Sequence, residues 1–305
     1  MKIVSLLPSA TEMVCALGLE DQLVGVSHEC DYPGSVKQLP HVTRSFIPAD
    51  AGSGDIDRLV QERLQQDKAL YALDHEKLRQ LQPDLIVTQA LCDVCAVAES
   101  EVQAVARDLP GRPAIINLEP HTLDEMLESL RDLARAAGAE RQGEAAISEL
   151  QSRIDAVTGR FETVHRRRRV ALLEWLDPPF SSGHWTPEII RLAGGEEVLG
   201  REGERSKRLT WEAVIASQPE FVFIACCGYD VERTKQDLPL LDRVEGWQDL
   251  PAVQKGQVYI IDGSQYFSRP GPRLVDSLEM IAHVLHPEVH ALPHGVPQSL
   301  RIGDS

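Results

Sequence analysis

Short apolar runs of strand length alternate with helix-patterned segments along most of this 305-residue chain. That alternation demands an α/β architecture with mainly parallel sheets. Lys2 to Leu7, Leu23 to Ser27, Leu85 to Gln89 and Ala114 to Leu118 read as one set of strands; Val170 to Glu174, Phe221 to Ala225 and Val258 to Ile261 read as a second. Ser9-Ala-Thr-Glu12 has capping-box spacing and opens a helix through Met13, Val14 and Leu17 that Gly18 ends. Asp55 to Leu81 is helical in pattern, with Pro83 marking the turn into the next strand. Pro187 to Ala193 is a helix closed by Gly194-Gly195, and Arg273 to Leu285 is a final amphipathic one.

From Thr122 to about His165 the chain is helix-forming with almost no strand signal, broken only at Gly138. The run Glu140 to Val164 would reach roughly 35 Å at 1.5 Å per residue, enough to cross between two domains. The expected organisation is therefore an N-terminal α/β lobe (1–121), a helical connector (122–168), a C-terminal α/β lobe (169–286) and a loose tail rich in Pro, Gly, His and Ser (287–305). A chain of this length agrees with two ordinary cores.

The formal net charge of −16 repels phosphate backbones and excludes a nucleic-acid partner. The basic run Arg166 to Arg169 reads as a solvated helix end. No stretch approaches the roughly 20 apolar residues of a bilayer span, so the protein is not membrane-embedded. The N-terminus carries no secretory pattern, which predicts a cytoplasmic protein with reduced cysteines; a trimmed periplasmic chain is the alternative.

Five of the six cysteines lie just past strand ends: Cys30 in His28-Glu29-Cys30-Asp31, Cys92 and Cys95 in a CxxC run, and the adjacent Cys226-Cys227. Ligands of open α/β sheets bind outside the carboxyl ends of the strands. Metal ligation by Cys30, Cys92 and Cys95, a disulfide or redox pair, and inert thiols all remain open on this spacing. Zn²⁺ would need four donors, which His28, His184 or one of Cys226 and Cys227 would complete. Cys15, inside the first helix, reads as a small core residue. No phosphate-loop pattern is present.

The order of several motifs resembles a known family. Ile3-Val-Ser-Leu-Leu-Pro-Ser-Ala-Thr-Glu12, Leu17-Gly18, Val24-Gly-Val-Ser27, Asp31-Tyr-Pro33, Leu81-Gln-Pro-Asp-Leu-Ile86, Pro178-Pro-Phe-Ser-Ser-Gly183, Ala193-Gly-Gly-Glu196 and Ser217-Gln-Pro-Glu220 are similar to the cobalamin-binding and iron-siderophore-binding proteins that serve ABC importers. The likeness is closest to the cobalamin branch. It runs from residue 3 to about 285. The resemblance implies the class III periplasmic-binding-protein fold: two Rossmann-like α/β lobes with mainly parallel sheets joined by one long backbone helix, with a ligand held between the lobes. It implies that Phe180 packs on a corrin ring, that Tyr266 and Phe267 are an aromatic pair at the binding site, and that Glu99 and Glu212 dock onto arginines of a permease. The chain departs from the relatives where they carry ligand-facing tryptophans, having Gln89 in the first lobe and residues around Ser206 in the second.

The expected function is a binding protein, not an enzyme: a monomer that holds a corrinoid or other metal chelate for ABC-type uptake or intracellular carriage, with no required cofactor. Pro8, His28, Glu29, Cys30, Tyr32, Cys92 and Cys95 make the candidate ligand set of the first lobe. Phe180, His184, Trp185, Cys227, Tyr229, Tyr266, Phe267 and Arg269 make that of the second. Large aromatic faces bring apolar area to a flat ligand at low entropic cost. The competing reading is a metalloprotein or enzyme whose cysteines hold Zn²⁺ or an iron–sulfur cluster.

Overall fold

The computed structural model describes residues 1–48, 51–66, 70–89, 99–161 and 166–303, with the side chains of Leu64 and Glu99 outside the description. In chain order the elements are β1 (Ile3–Ser5), α1 (Pro8–Ala16), β2 (Leu23–Val26), β3 (Thr43–Ser45), α2 (Ser53–Gln65), β4 (Tyr71–Leu73), α3 (His75–Leu81), β5 (Leu85–Thr88), α4 (Glu99–Asp108), β6 (Ala114–Asn117), α5 (Leu123–Ala136) and α6 (Glu140–Phe161). They continue with β7 (Arg168–Leu176), β8 (Pro179–Ser181), α7 (Thr186–Leu192), β9 (Gly195–Glu197), α8 (Trp211–Ala216), β10 (Phe221–Ile224), α9 (Val231–Asp237), α10 (Pro251–Gln254), β11 (Val258–Ile260), α11 (Gly263–Tyr266), α12 (Leu274–Leu285) and β12 (Leu300–Arg301).

The chain divides into two compact units, residues 1–120 with 124–149 and residues 121–123 with 150–303 of the described chain. Unit 1 is built on a parallel sheet in the order β2-β1-β5-β6. Strands β1 and β5 lie at its centre and are buried throughout, as their unbroken apolar runs require. Ile3, Ile86, Met13 and Leu130 are among its fully buried side chains. Gly25 has a packing reason: a Cβ there would stand 2.8 Å from Leu81 Cδ1 and 3.0 Å from Val42 Cγ1.

Unit 2 carries a second sheet in the order β12-β11-β10-β7-β8, with β9 parallel to β7. The β11-β10-β7 core is parallel, while β8 and β12 pair antiparallel. Phe223 and Leu172 fill its centre. Arg153 on α6 donates to Asp276 Oδ1 and Glu279 Oε2 on α12, each at 2.5 Å. Glu279 is buried, so this guanidinium supplies the charge that makes its burial tolerable.

Several expectations are revised. Ser9 does not cap α1: Leu7 stands at the cap without a side-chain bond, and Pro8 takes the first turn, where a missing N–H costs nothing. Residues 55–81 are not one helix, because β4 separates α2 from α3 and pairs with β3 as a two-stranded antiparallel ribbon. The Arg166 to Arg169 run is no solvated helix end. Arg168 and Arg169 begin β7, Arg166 meets Glu220 at 2.7 Å, and Arg167 donates to the carbonyls of Arg191 and Gly195. Nor is 287–303 a loose tail: β12 pairs with β11 and His290 is buried. The helix-only stretch from residue 122 is α5 and α6; α6 contributes Glu140–Glu149 to unit 1 and its remainder to unit 2. Among the described residues no helix is long and apolar enough to cross a membrane.

Gly263 opens α11 directly over the end of β10, where a Cβ would stand 2.2 Å from the Cys226 carbonyl oxygen. Gly263→Ala is therefore expected to destabilise unit 2 by about 1–3 kcal/mol, read as a lowered urea midpoint. A midpoint equal to that of the parent chain would contradict the packing described.

Candidate functional site

Of the expected ligand residues that are described, most lie at the carboxyl ends of parallel strands, whereas Phe180, His184 and Trp185 lie on or just after the antiparallel β8. In unit 1, Pro8 follows β1 and opens α1, and His28 to Tyr32 follow β2. Thr43, on the ribbon, organises this loop. Its Oγ1 accepts from the His28 amide at 3.0 Å and lies 2.7 Å from His28 Nδ1. The Tyr71 ring stands 5.7 Å from the His28 ring and its hydroxyl donates to Glu29 Oε1 at 3.3 Å. Burial first, and then His41, lowers the His28 pKa, which favours a neutral imidazole. Cys30 is buried with its Sγ 3.1 Å from Thr11 Oγ1, whereas Tyr32 is exposed.

In unit 2, Phe180 lies on β8, half-buried, with the Arg208 guanidinium over its ring. His184 and Trp185 follow in the turn before α7. His184 has φ of 51°, a left-handed backbone that its amide bond to the Glu204 carbonyl (2.6 Å) and the bond from the Gly203 amide to its own carbonyl (2.9 Å) hold in place. Its ring stands 5.5 Å from that of His121 and 5.3 Å from that of Trp185. Burial, then His121 and Arg205, pushes the His184 pKa down to about 4, so the ring is neutral at pH 7. Its Nε2 is buried and has no hydrogen-bond partner among the described residues. A neutral imidazole carries a lone pair that a borderline metal can accept, but here that nitrogen is enclosed by protein.

Trp185 and Phe267 are buried and joined, the indole Nε1 donating to the Phe267 carbonyl at 2.9 Å. They serve as a packed foundation for the loops that carry His184 and Tyr266. Tyr266 is half-buried with Arg273 over its ring. Arg269 is buried and reaches Ser264 Oγ at 3.2 Å. After β10, Cys226 is buried, and burial followed by Asp237 pushes its thiol up to about 12, which leaves it protonated and unreactive. Cys227 is exposed. Tyr229 packs on Trp175, with ring centroids 4.8 Å apart, and under the Arg233 guanidinium.

Cys92 and Cys95 lie outside the described residues, as does the Glu99 side chain. Glu212 is exposed in the first turn of α8, its pKa lowered by its own backbone N–H and the Thr210 hydroxyl. Among the described residues no group of three His, Cys, Asp or Glu side chains is placed to hold a metal. Cys15 is half-buried with its thiol pushed up to about 12, by burial first and then Glu20.

Sequence reasoning missed Thr43, Tyr71, His121 and a pair of enclosed carboxylates beneath the His184 turn. Glu174 on β7 accepts from the Gly183 amide at 3.0 Å and from Ser206 Oγ. Glu197, ending β9, accepts from the amides of Leu199 (2.9 Å), Gly200 (3.2 Å) and Leu172 (3.2 Å). Glycine is required at 183, where a Cβ would stand 2.3 Å from the Ser206 amide nitrogen. No common spacing marks the pair, since Glu174 meets Gly183 further along the chain whereas Glu197 meets Leu199, Gly200 and, across the sheet, Leu172.

A sequence profile of the periplasmic binding protein family matches residues 3–264, and the chain belongs to that family. It is 24% identical over 288 residues to the vitamin B12-binding protein of Vibrio cholerae, covering 93% of this chain and 88% of that one. It is 23% identical to the uncharacterized ABC transporter substrate-binding lipoprotein YvrC of Bacillus subtilis, covering 94% and 80%. Among solved structures, the apo periplasmic heme-binding protein RhuT of Roseiflexus superposes with a TM-score of 0.70 at 23% identity, covering 94% and 98%. The fold expectation and the reading as a substrate-binding protein of ABC transport agree with these matches; the metalloenzyme alternative finds no support in them. The cytoplasmic expectation is corrected, because the family is periplasmic and a relative is a lipoprotein, which points outside the cytoplasm.

Burial, and for Glu174 also Glu197, pushes both carboxyls from 4.5 to about 7. The folded chain then binds more protons than the unfolded chain between those values. Stability present below about pH 4.5 is accordingly lost as pH rises through about 7. His184 and His290, both lowered from 6.5 to about 4, make stability rise with pH over that interval, so the carboxyls' share of the urea midpoint is the part expected to fall between pH 5 and pH 8, and Glu174→Gln should remove up to about 3 kcal/mol of that share. An unchanged slope in the variant would show that Glu174 is ionised in both states.

Proposed function

We propose that this chain is the ligand-capturing component of an ABC importer and that its cargo is a flat metal chelate of the tetrapyrrole class, a corrinoid in the first instance. The observation that carries the reading is the alignment, over 93% of the chain, with a vitamin B12-binding protein. The neighbouring heme-binding fold supports the wider class of cargo. The residues suit such a ligand. Phe180 and Tyr266 offer partly accessible rings, and the half-buried His184 offers a neutral imidazole that reaches a metal once its enclosed Nε2 turns outward. His28, Glu29, Tyr32, Arg269 and Cys227 provide polar contacts at the strand ends. Glu99 and Glu212 are the carboxylates that meet arginines of the permease.

Titration of the purified chain with hydroxocobalamin and, separately, hemin tests this. Micromolar retention through desalting with a shifted visible spectrum is expected for at least one of them. His184→Ala should abolish the spectral shift while ring packing still retains part of the ligand. Failure to retain either compound would remove the tetrapyrrole reading.

A further inference from the structure

Unit 2 carries a groove of about 650 Å³ bounded by the end of β7, by α8 and by residues 240–245. Its floor is apolar: Leu176, Trp211, Ile215, Leu240 and Val244 line it. Trp211 is half-buried and meets the buried Trp247 edge-on at 5.9 Å and 82°, so its ring is fixed while part of it stays accessible. The rim is charged and mainly acidic. Among the lining residues are three exposed carboxylates, Asp177, Glu212 and Glu245, and one guanidinium, that of Arg243. A tryptophan packed on the core and part of an apolar groove that charged side chains also line is the anatomy of a protein contact. Of the residues assigned to the chelate, none lines this groove.

The excess of carboxylates fixes the sign of the occupant. A segment entering here must present a cation beside a large apolar side chain, since an acidic or purely apolar one would leave the rim unpaired. Glu212 belongs both to this rim and to the carboxylates assigned above to the permease. We infer that the groove is the apolar half of that docking surface: it takes a large aliphatic or aromatic side chain of an ABC permease segment, whose adjacent arginine or lysine meets Glu212 and Glu245. This rests on the reading of the chain as an importer's binding protein. It adds to the ion pair a shape-selective contact, which lets the surface discriminate among permeases that all present arginine.

The test places a benzophenone amino acid at Ala216 or Val244 of the full chain, with a control at Glu232, exposed on α9. The chain is expressed in cells with the transporter, cross-linked by light, and the adduct sequenced. The expected adduct is a permease peptide with an arginine or lysine within about four residues of a large apolar side chain. Its yield should fall about tenfold in Ile215→Glu, which sets a like charge into the floor. Hydroxocobalamin and hemin retention by Ile215→Glu, unchanged from the parent chain, confirms that the variant is folded; should it lose both that and the adduct, Leu240→Lys replaces it. An adduct with another copy of this chain or any other protein, no adduct, equal labelling from position 232, or a permease peptide without the cation overturns the inference. If the adduct forms but neither compound is retained, the chelate reading fails and the docking surface stands. Retention without the adduct has the reverse meaning.

Discussion

Parallel strand pairing governs this molecule. Parallel strands cannot be joined by tight turns, so each must be followed by a crossover that returns over a sheet face, and all the loops leaving the carboxyl ends collect on one edge. In unit 1 this brings Pro8 and the His28–Tyr32 segment to the ends of β1 and β2. In unit 2 it brings Cys227, Tyr229, Tyr266 and Arg269 to the ends of β10 and β11. The rigidity of the buried strands and the variability of the loops are two consequences of one pairing rule. A binding protein needs both.

The strands were legible because burial on both faces writes itself as a run of apolar residues, as in Leu85-Ile-Val and Phe221-Val-Phe-Ile. The ribbon was not. Thr43-Arg-Ser and Tyr71-Ala-Leu are short, are only partly buried and carry no alternation strong enough to compete with the helical pattern around them. Likewise β12 consists of two residues whose strand character comes from the free edge of β11 and not from their own side chains. The family resemblance was readable from motif order, whereas the compartment was not, because nothing in the folded body of such a protein encodes its address.

At the candidate site, legibility stopped where tertiary structure began. His184 was visible as a histidine beside a tryptophan. What sets its protonation state is invisible in one dimension: His121, about sixty residues away, comes to 5.5 Å and, with burial, keeps the imidazole neutral. Trp185 and Phe267 show the opposite error of emphasis. Both are aromatic and sit in the right loops, yet the bond from the indole to the Phe267 carbonyl turns them inward. What they do in this fold is tie the loops after β8 and α11 to each other.

Glu174 and Glu197 extend that logic to charge. Glu174 on the interior strand β7 and Glu197 at the end of β9 each accept from backbone amides that the turns after β8 and β9 leave without ladder partners. An apolar residue could not do this, and an exposed acid would be displaced by water. Enclosing an acid costs free energy once it ionises, a cost offset by amide donors that would otherwise be orphaned. The same bonds anchor Gly183, one residue before His184, so the orientation of the imidazole is inherited from a carboxylate on the central strand. The turn that carries His184 therefore depends on an acid beneath it, and a glycine at 183 is the condition for the two to meet.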